Sequence, residues 1–459
     1  MKKLFIICLA QLLAGSYTQA QVSMGALQDA HNSGNAARHL PTFLGDKFKK
    51  VQVNLFNPYL SLGSSFASFD DAREYMTADQ ITSDMIGKTI DKLDPNDNNI
   101  QGVVDIALLN VALNIGGSNG RKAASVGFGI NERVEMNMLF NQDLLLLAWR
   151  GNKQYAGKTV NLMPRFNGLA FTEYYVSAAY NFAPSFTNMI IKPAIRLSYL
   201  AGQASIQMPK NNAISMFTES EGRYLDFDFN YTVNASMDAD SLTLEGSTFN
   251  INEKSFRGGA GSGIGMDLGV RVSPRAGLSF NLGIMDIGTI RFKNGVTNMY
   301  NQSSYRYEGQ ELTFKEDQSI DLDSLAALAK PNYSHEAYTV KLPTKLVLTG
   351  SIGLGKVDKK GGTYYRHQLT AMYLQGFDNY LSSTKNPYLA LGYTHSIGNV
   401  LNLGANAGVG GLTGGTFGLL ASLKAGPFCL GLHSNNIIPL ISASSGRGAD
   451  LGMLLGLAF

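Results

Sequence analysis

Apolar residues alternate with small or polar ones along most of this chain, and a period of two predicts half-buried strands. The alternation is cleanest where Ile264, Met266, Leu268, Val270 and Val272 stand against Gly263, Gly265, Asp267, Gly269 and Arg271. It recurs where Leu401, Leu403, Ala405, Ala407 and Val409 oppose Asn402, Gly404, Asn406, Gly408 and Gly410. The chain ends in the same way, with Leu451, Met453, Leu455, Leu457 and Phe459 on one face. Strands are predicted near residues 51–62, 103–115, 126–130, 167–182, 190–206, 263–272 and 278–284. Seven more follow near 341–355, 363–376, 387–396, 400–411, 415–424, 427–436 and 449–459, which makes fourteen.

The connections sort by length. Those after strands 1, 3, 5 and 7 are long, and those after the even-numbered strands are short. One exception is the short connection at residues 412–415 after strand 11. In the first long connection Ile81, Met85, Ile90 and Leu93 have helical spacing and predict a short amphipathic helix. Residues 324–330 predict a helical turn in the fourth. An even number of strands, with short turns at one end and long loops at the other, is the pattern of a transmembrane barrel. An apolar last strand would be an exposed edge in an open sheet, and closure against the first strand removes that edge. The fold class expected is therefore all-β, a 14-stranded antiparallel transmembrane β-barrel with short periplasmic turns and long extracellular loops. A soluble sandwich has no reason to sort its loops by end.

Composition agrees with this reading. Of 459 residues 50 are Gly, 21 Tyr and 24 Phe, and only 16% are charged. The mean hydropathy of -0.04 excludes a bundle of membrane helices, which needs continuous apolar runs of ~20 residues. Lys2 and Lys3, the apolar run from Leu4 to Leu13 and the small Ala20 read as a secretory signal, so residues 1–20 are expected to be removed. Residues 21–49 lack a strong period and are expected to form a plug or a periplasmic segment, with 50–459 as the barrel. Cleavage removes Cys8 and leaves Cys429 alone, so no internal disulfide is expected. Removing Lys2 and Lys3 from the 38 basic residues leaves 36 against 35 acidic ones, and that balance gives no reason to expect a nucleic-acid partner. The expected location is the outer membrane of a Gram-negative bacterium with both termini periplasmic, and the expected surroundings are outer-membrane lipid.

Reaction chemistry is sparse. His31, His39, His335, His367, His395 and His433 are scattered with no pair at metal spacing, so neither a metal nor a cofactor is expected. The glycine-rich stretch 408–415 lacks the lysine and following helix of a phosphate loop. His433 and Ser434 are adjacent and so point to opposite faces of a strand, which weakens an enzyme reading. The alternation puts Glu173, Arg196, Asp267, Arg271, Asp286, Lys341, Lys345 and Lys424 in the lumen. Both signs occur, as expected for a salt-bridge network holding a plug, or for a polar path through the wall. The run Leu144, Leu145, Leu146 and Leu147 with Trp149 is unusually apolar for an outer loop. It reads either as a groove that collects an apolar ligand or as a helix capping the mouth.

Several stretches carry a family resemblance. Phe140 to Gln142 with Trp149 to Asn152 and Gly157, Asp286 to Phe292, and Leu342 to Leu346 are similar to a large family of Bacteroidota outer-membrane barrels of unknown function. The leader, the short N-terminal segment, fourteen strands and a terminal Phe resemble the FadL-type long-chain fatty-acid transporter superfamily. The Asn-Pro-Ala-type motif of that superfamily is absent, and Asn57 to Tyr59 is the nearest sequence. The resemblance implies passive uptake of a small hydrophobic molecule, or else a non-transporting barrel that serves as scaffold or shuttle in a secretion or motility assembly. It also implies that Phe459 is read by the barrel-assembly machinery.

Overall fold

The computed structural model describes residues 23–29, 36–45, 50–115, 124–184, 189–237, 260–308, 331–359, 362–398 and 400–459. The expected signal, His31 and the helical turn at 324–330 lie outside these residues. The chain forms a closed, antiparallel, 14-stranded barrel. Its wall strands are β1 (Val51–Ser64), β2 (Asn98–Ile115), β3 (Ala124–Phe140), β4 (Arg165–Tyr180), β5 (Ile190–Gln207), β6 (Gly261–Arg275) and β7 (Leu278–Phe292). They continue as β8 (Lys345–Lys359), β9 (Gly362–Gly376), β10 (Tyr388–Ile397), β11 (Leu401–Gly410), β12 (Gly414–Ala425), β13 (Phe428–Ser434) and β14 (Gly448–Ala458). Each pairs with its sequence neighbours, and β14 closes on β1. Every strand therefore has two partners, as a barrel wall in lipid requires.

Outward positions form an apolar belt. On β3 to β6 it runs upward from Ala124 and Tyr180 through Phe128, Val176, Leu197 and Leu268. It is bordered by Tyr174 and Tyr199, whose ring centroids are 6.4 Å apart. Above that border the outward Glu132 accepts from Thr172 Oγ1 at 2.8 Å and from Gln203 Nε2 at 2.9 Å. A carboxylate with two donors marks the polar edge of the belt. No helix among the described residues is long and apolar enough to cross a membrane, which is no argument against a barrel.

Among the register shifts along the described wall, two carry a non-glycine residue at positive φ. Along the β1–β14 seam, Asn54 pairs with Gly456 but Tyr59 pairs with Gly452, so β1 carries one extra residue. Phe56 has φ 48° within this bulge, and Pro58 has no N–H to give. Asn57 Oδ1 repairs the ladder by accepting from Leu455 N at 2.7 Å. In β7 a bulge between Ile284 and Ile287 sets Asp286 at φ 57°. Bulges of this kind re-aim side chains. This one brings two adjacent residues, Met285 and Asp286, into the interior.

The long loops are more ordered than their polarity suggests. The first holds two helices rather than one, α3 (Phe69–Thr77) and α4 (Ser83–Asp91). Ser68 and Asp71 form a reciprocal capping box on α3, and Thr82 caps α4 at Met85 N. The second cap makes the chain leave the helix between them, so α4 is the helix expected from the Met85 spacing and α3 is an additional one. The third and fourth long loops contribute strands 213–218, 225–236, 296–307 and 332–334 to a sheet above the barrel, joined by 158–161 from the second.

Candidate functional site

The lumen is occupied by the chain's own N-terminal segment. Helix α1 (Met24–Gln28), helix α2 (Ala36–His39) and a 3-10 turn at Pro41–Phe43 lie inside the wall. Met24, Leu27, Leu40 and Leu44 are at most 3% exposed, so this segment is a plug. Its apolar side packs on Met285, Val347, Met372, Leu374, Tyr388 and Ala390, one strip of the inner wall on β7 to β10. Inward glycines carve its seat. A Cβ on Gly283 would lie 2.4 Å from Leu40 Cδ2, and one on Gly269 would lie 2.7 Å from Thr42 Cγ2.

Polar contacts fix the rest of the plug. Asp29 accepts from Asn402 Nδ2 at 3.3 Å and from Ser422 Oγ. Gln28 Nε2 donates to the carbonyls of Tyr393 and Ala405, each at 3.2 Å, and its Oε1 accepts from Asn406 at 3.1 Å. Arg38 donates to Asn57 O at 2.7 Å and forms an ion pair with Asp105. Thr42 Oγ1 donates to Asn281 at 2.9 Å, and Lys192 Nζ donates to Leu44 O.

The long-loop end is closed by a second device. The β9–β10 loop dips inward so that Leu381, Ser382 and Ser383 are at most 1% exposed. Leu381 has φ 48°, an unfavourable region for a branched side chain, and packs with Phe171, Leu200, Ile290, Phe292 and Leu342. Its N–H donates to Asn137 Oδ1 at 3.0 Å, and Ser382 N–H donates to Glu135 Oε2 at 3.3 Å. A small cavity of about 20 Å³ remains beneath this loop, lined by Lys345, Leu374, Tyr388 and Leu412 among others. Outside, Asn379 Nδ2 donates to Asp97 Oδ2 at 2.7 Å. Burial raises the Asp97 carboxyl above its ordinary value; Arg165 offsets part of that and Asp94 adds to it.

Between plug and loop lies a buried ionic network. Arg133 Nη1 meets Asp286 Oδ1 at 2.7 Å and Nη2 meets Glu135 Oε1 at 2.8 Å, while Glu173 is 4.0 Å away. Lys345 Nζ is 3.7 Å from Asp286 Oδ2 and donates to Ser382 Oγ at 2.7 Å. Asp267 Oδ1 accepts from Asp286 N at 2.7 Å, and its Oδ2 is 3.1 Å from Arg196 Nη1. Arg196 also donates to the plug carbonyls of Ala37 and Arg38. Removing one member of such a network strands its partner as an unpaired buried charge.

Five of the eight charges picked from sequence thus meet here: Glu173, Arg196, Asp267, Asp286 and Lys345. Arg271 lies lower, its guanidinium 5.2 Å from the Phe43 ring. Lys424 stands half-buried at the short-turn end of β12, opposite Cys429. Lys341 is exposed on the outer extension 338–341, paired with Thr289, and is not luminal. The break at Leu342, Pro343 and Thr344 reverses the alternation, so Val340 and Lys345 face inward and Lys341 outward. Sequence reasoning missed Arg38, Asp105, Arg133 and Glu135. The last two were visible as alternate polar residues with Asn131 and Asn137 on one face of β3.

The leucine run forms helix α5 (Gln142–Arg150), capped by Asn141 Oδ1 at Leu144 N. Leu144, Leu145, Leu146 and Trp149 pack with Phe66, Tyr75, Met85, Ile90 and Phe140. Leu147 joins Leu146 against Tyr155 of the 3-10 turn at Lys153–Tyr155 and against Val160 and Met216 of the outer sheet. The helix thus caps loops above the mouth. Burial, with the Asp143 carboxylate, raises the Tyr155 phenol. No hydrolytic relay forms at His433: Asp450 Oδ1 accepts from Asn435 N, and neither His433 ring nitrogen has a hydrogen-bond partner among the described residues.

Residues 41–435 match the model of a family of unknown function, DUF5723, and the chain belongs to that family. No curated protein matches the sequence. Among solved structures it is similar to the Pseudomonas putida toluene transporter TodX, at 7% identity over 96% of each chain with a TM-score of 0.41. It is similar also to the monoaromatic hydrocarbon channel CymD, at 9% identity over 96% of this chain and 98% of that one, TM-score 0.41. The translocator domain of the autotransporter NalP from Neisseria meningitidis is 9% identical over 96% and 99% of the two chains, TM-score 0.35. Similarities this distant carry no argument about function.

Proposed function

We propose that this DUF5723 barrel is an outer-membrane channel for passive uptake of a small apolar molecule, shut at rest by its N-terminal plug and its β9–β10 loop. In this reading the long loops are extracellular and both termini periplasmic. One observation carries it: among the described residues the lumen is lined largely by Asn, Ser, Thr and charged groups, yet Leu381 of the β9–β10 loop covers one apolar patch of it and the plug covers a second, an apolar strip. Met285, Val347, Met372, Leu374, Tyr388 and Ala390 are that strip, and the small cavity under the loop adjoins it at Leu374 and Tyr388. The contacts that hold the plug among the described residues are side-chain hydrogen bonds, one ion pair and apolar packing, so it leaves without breaking a wall ladder. The uncovered strip then offers an apolar solute about 25 cal/mol per Å² of buried surface. Helix α5 belongs to the mouth over this path, and no catalytic step is assigned.

The closed lumen favours a second reading, a barrel that transports nothing and serves as a scaffold. A tether separates the two. Asp29→Cys and Ser422→Cys, in a Cys429→Ser background, lock α1 to β12 when oxidised. Uptake of radiolabelled naphthalene is measured in cells with an intact lipopolysaccharide leaflet. Transport predicts slow uptake when oxidised and recovery on reduction. Rates equal to those of cells lacking the protein, in both states, refute it and leave the scaffold.

A further inference from the structure

His367 and His395 are far apart in sequence but are register partners across β9 and β10. Both side chains face outward toward the short-turn end of the wall, with Leu354 and Leu403 in register on either side and Ile397 beyond His395. Their ring centroids are 5.0 Å apart and their Nδ1 atoms 3.4 Å apart. Tyr393 Oη is 2.6 Å from His367 Nδ1, so that nitrogen has two other donor atoms beside it.

We propose that His367 and His395 form a binding site for a divalent transition metal ion such as Zn²⁺ or Cu²⁺, with Tyr393 beside it. The argument is geometric. Two imidazole nitrogens bound tetrahedrally at roughly 2.0–2.1 Å lie about 3.3–3.4 Å apart, the separation seen here. Imidazole is the ligand these borderline ions prefer. The site is pre-organised, because both rings project from paired strands of a closed wall and a metal need not gather them. Groups of three or more His, Cys, Asp or Glu that could hold a metal do not occur among the described residues, so the site is a two-histidine one. The proposal does not depend on the transport reading.

The test uses the full chain without a histidine tag, in detergent, stripped of metal and titrated with Cu²⁺. Electron paramagnetic resonance should show one tight copper bound by two nitrogens. His367→Gln and His395→Gln should each weaken that site at least about 10-fold, since even loss of an outer partner of a metal ligand costs that much. His335→Gln, on an exposed loop, serves as the control and should leave it intact. Heat-modifiable mobility on gels confirms that each variant is a folded barrel. A tight copper signal unchanged by both substitutions, or no nitrogen-bound copper in the parent protein, overturns the proposal.

Discussion

Arg38→Met is the sharpest test of how the plug is held. The guanidinium is 3% exposed, pairs with the 8% exposed Asp105 carboxylate of β2, and donates to Asn57 O at 2.7 Å. Methionine keeps much of the length and packing but removes both contacts. It leaves Asp105 as an uncompensated buried charge, which typically costs about 3–5 kcal/mol. The lost contact joins plug to wall, so the cost falls on plug docking while the wall ladder stays intact. At 1.4 kcal/mol per tenfold, the undocked fraction should rise by roughly two to nearly four orders of magnitude. Hydrogen exchange reads this directly at Leu27, Asp29 and Leu40, whose N–H groups donate to Ser23, Gly25 and Ala36 carbonyls within the plug. Strand amides such as those of β3 should keep their protection. The double variant Arg38→Met with Asp105→Leu removes the stranded charge and should restore most plug protection. Unchanged exchange in Arg38→Met, or a double variant no better than the single, would refute the account of the plug as ion-paired to the wall.

Two further outcomes follow from the same geometry. Asn57→Ala strips Leu455 N of its acceptor at the β1–β14 bulge, so it should lower barrel stability by about 1–3 kcal/mol, read as a lower denaturant midpoint with unchanged slope. The Asp71 carboxyl is held below its ordinary value: burial raises it, but Lys92 at 2.5 Å and the Ser68 N–H and hydroxyl outweigh that. A depressed folded-state pKa means the capping box stabilises fully above the ordinary carboxylate range and is lost as pH falls below it. Proteolysis of residues 69–91 should therefore accelerate below about pH 4 in the parent, whereas Asp71→Asn should be cleaved at an equal, faster rate across the range.

Local pattern alone determined the wall. Alternation of apolar with small residues is a property of neighbouring positions, so strand number, the outward face and the sorting of loops could be read without contacts. Closure of the last strand on the first followed from the impossibility of leaving either edge bare. Short signals in the loops were less legible: the helix expected near Met85 forms, but a second one, started by Ser68, precedes it and was not foreseen.

What tertiary structure decided is what fills and closes the barrel. That residues 23–29 and 36–45 sit in the lumen, and on which strip, depends on partners such as Asn402, Asn281 and Gly283, more than 200 residues away. Parity counting placed Lys341 in the lumen, and one break at Pro343 reversed it. Nothing in the β9–β10 connection marked Leu381 as an inward residue, and whether α5 was a collecting groove or a cap was decided only when its leucines met α3, α4 and the outer sheet. His367 and His395 have no spacing that suggests a pair, since strand register across a turn is what aligns them. Alternation along a strand records which face is buried, but not what lies against that face. Only the closed barrel brings distant residues to the same point, and there the chemistry is set.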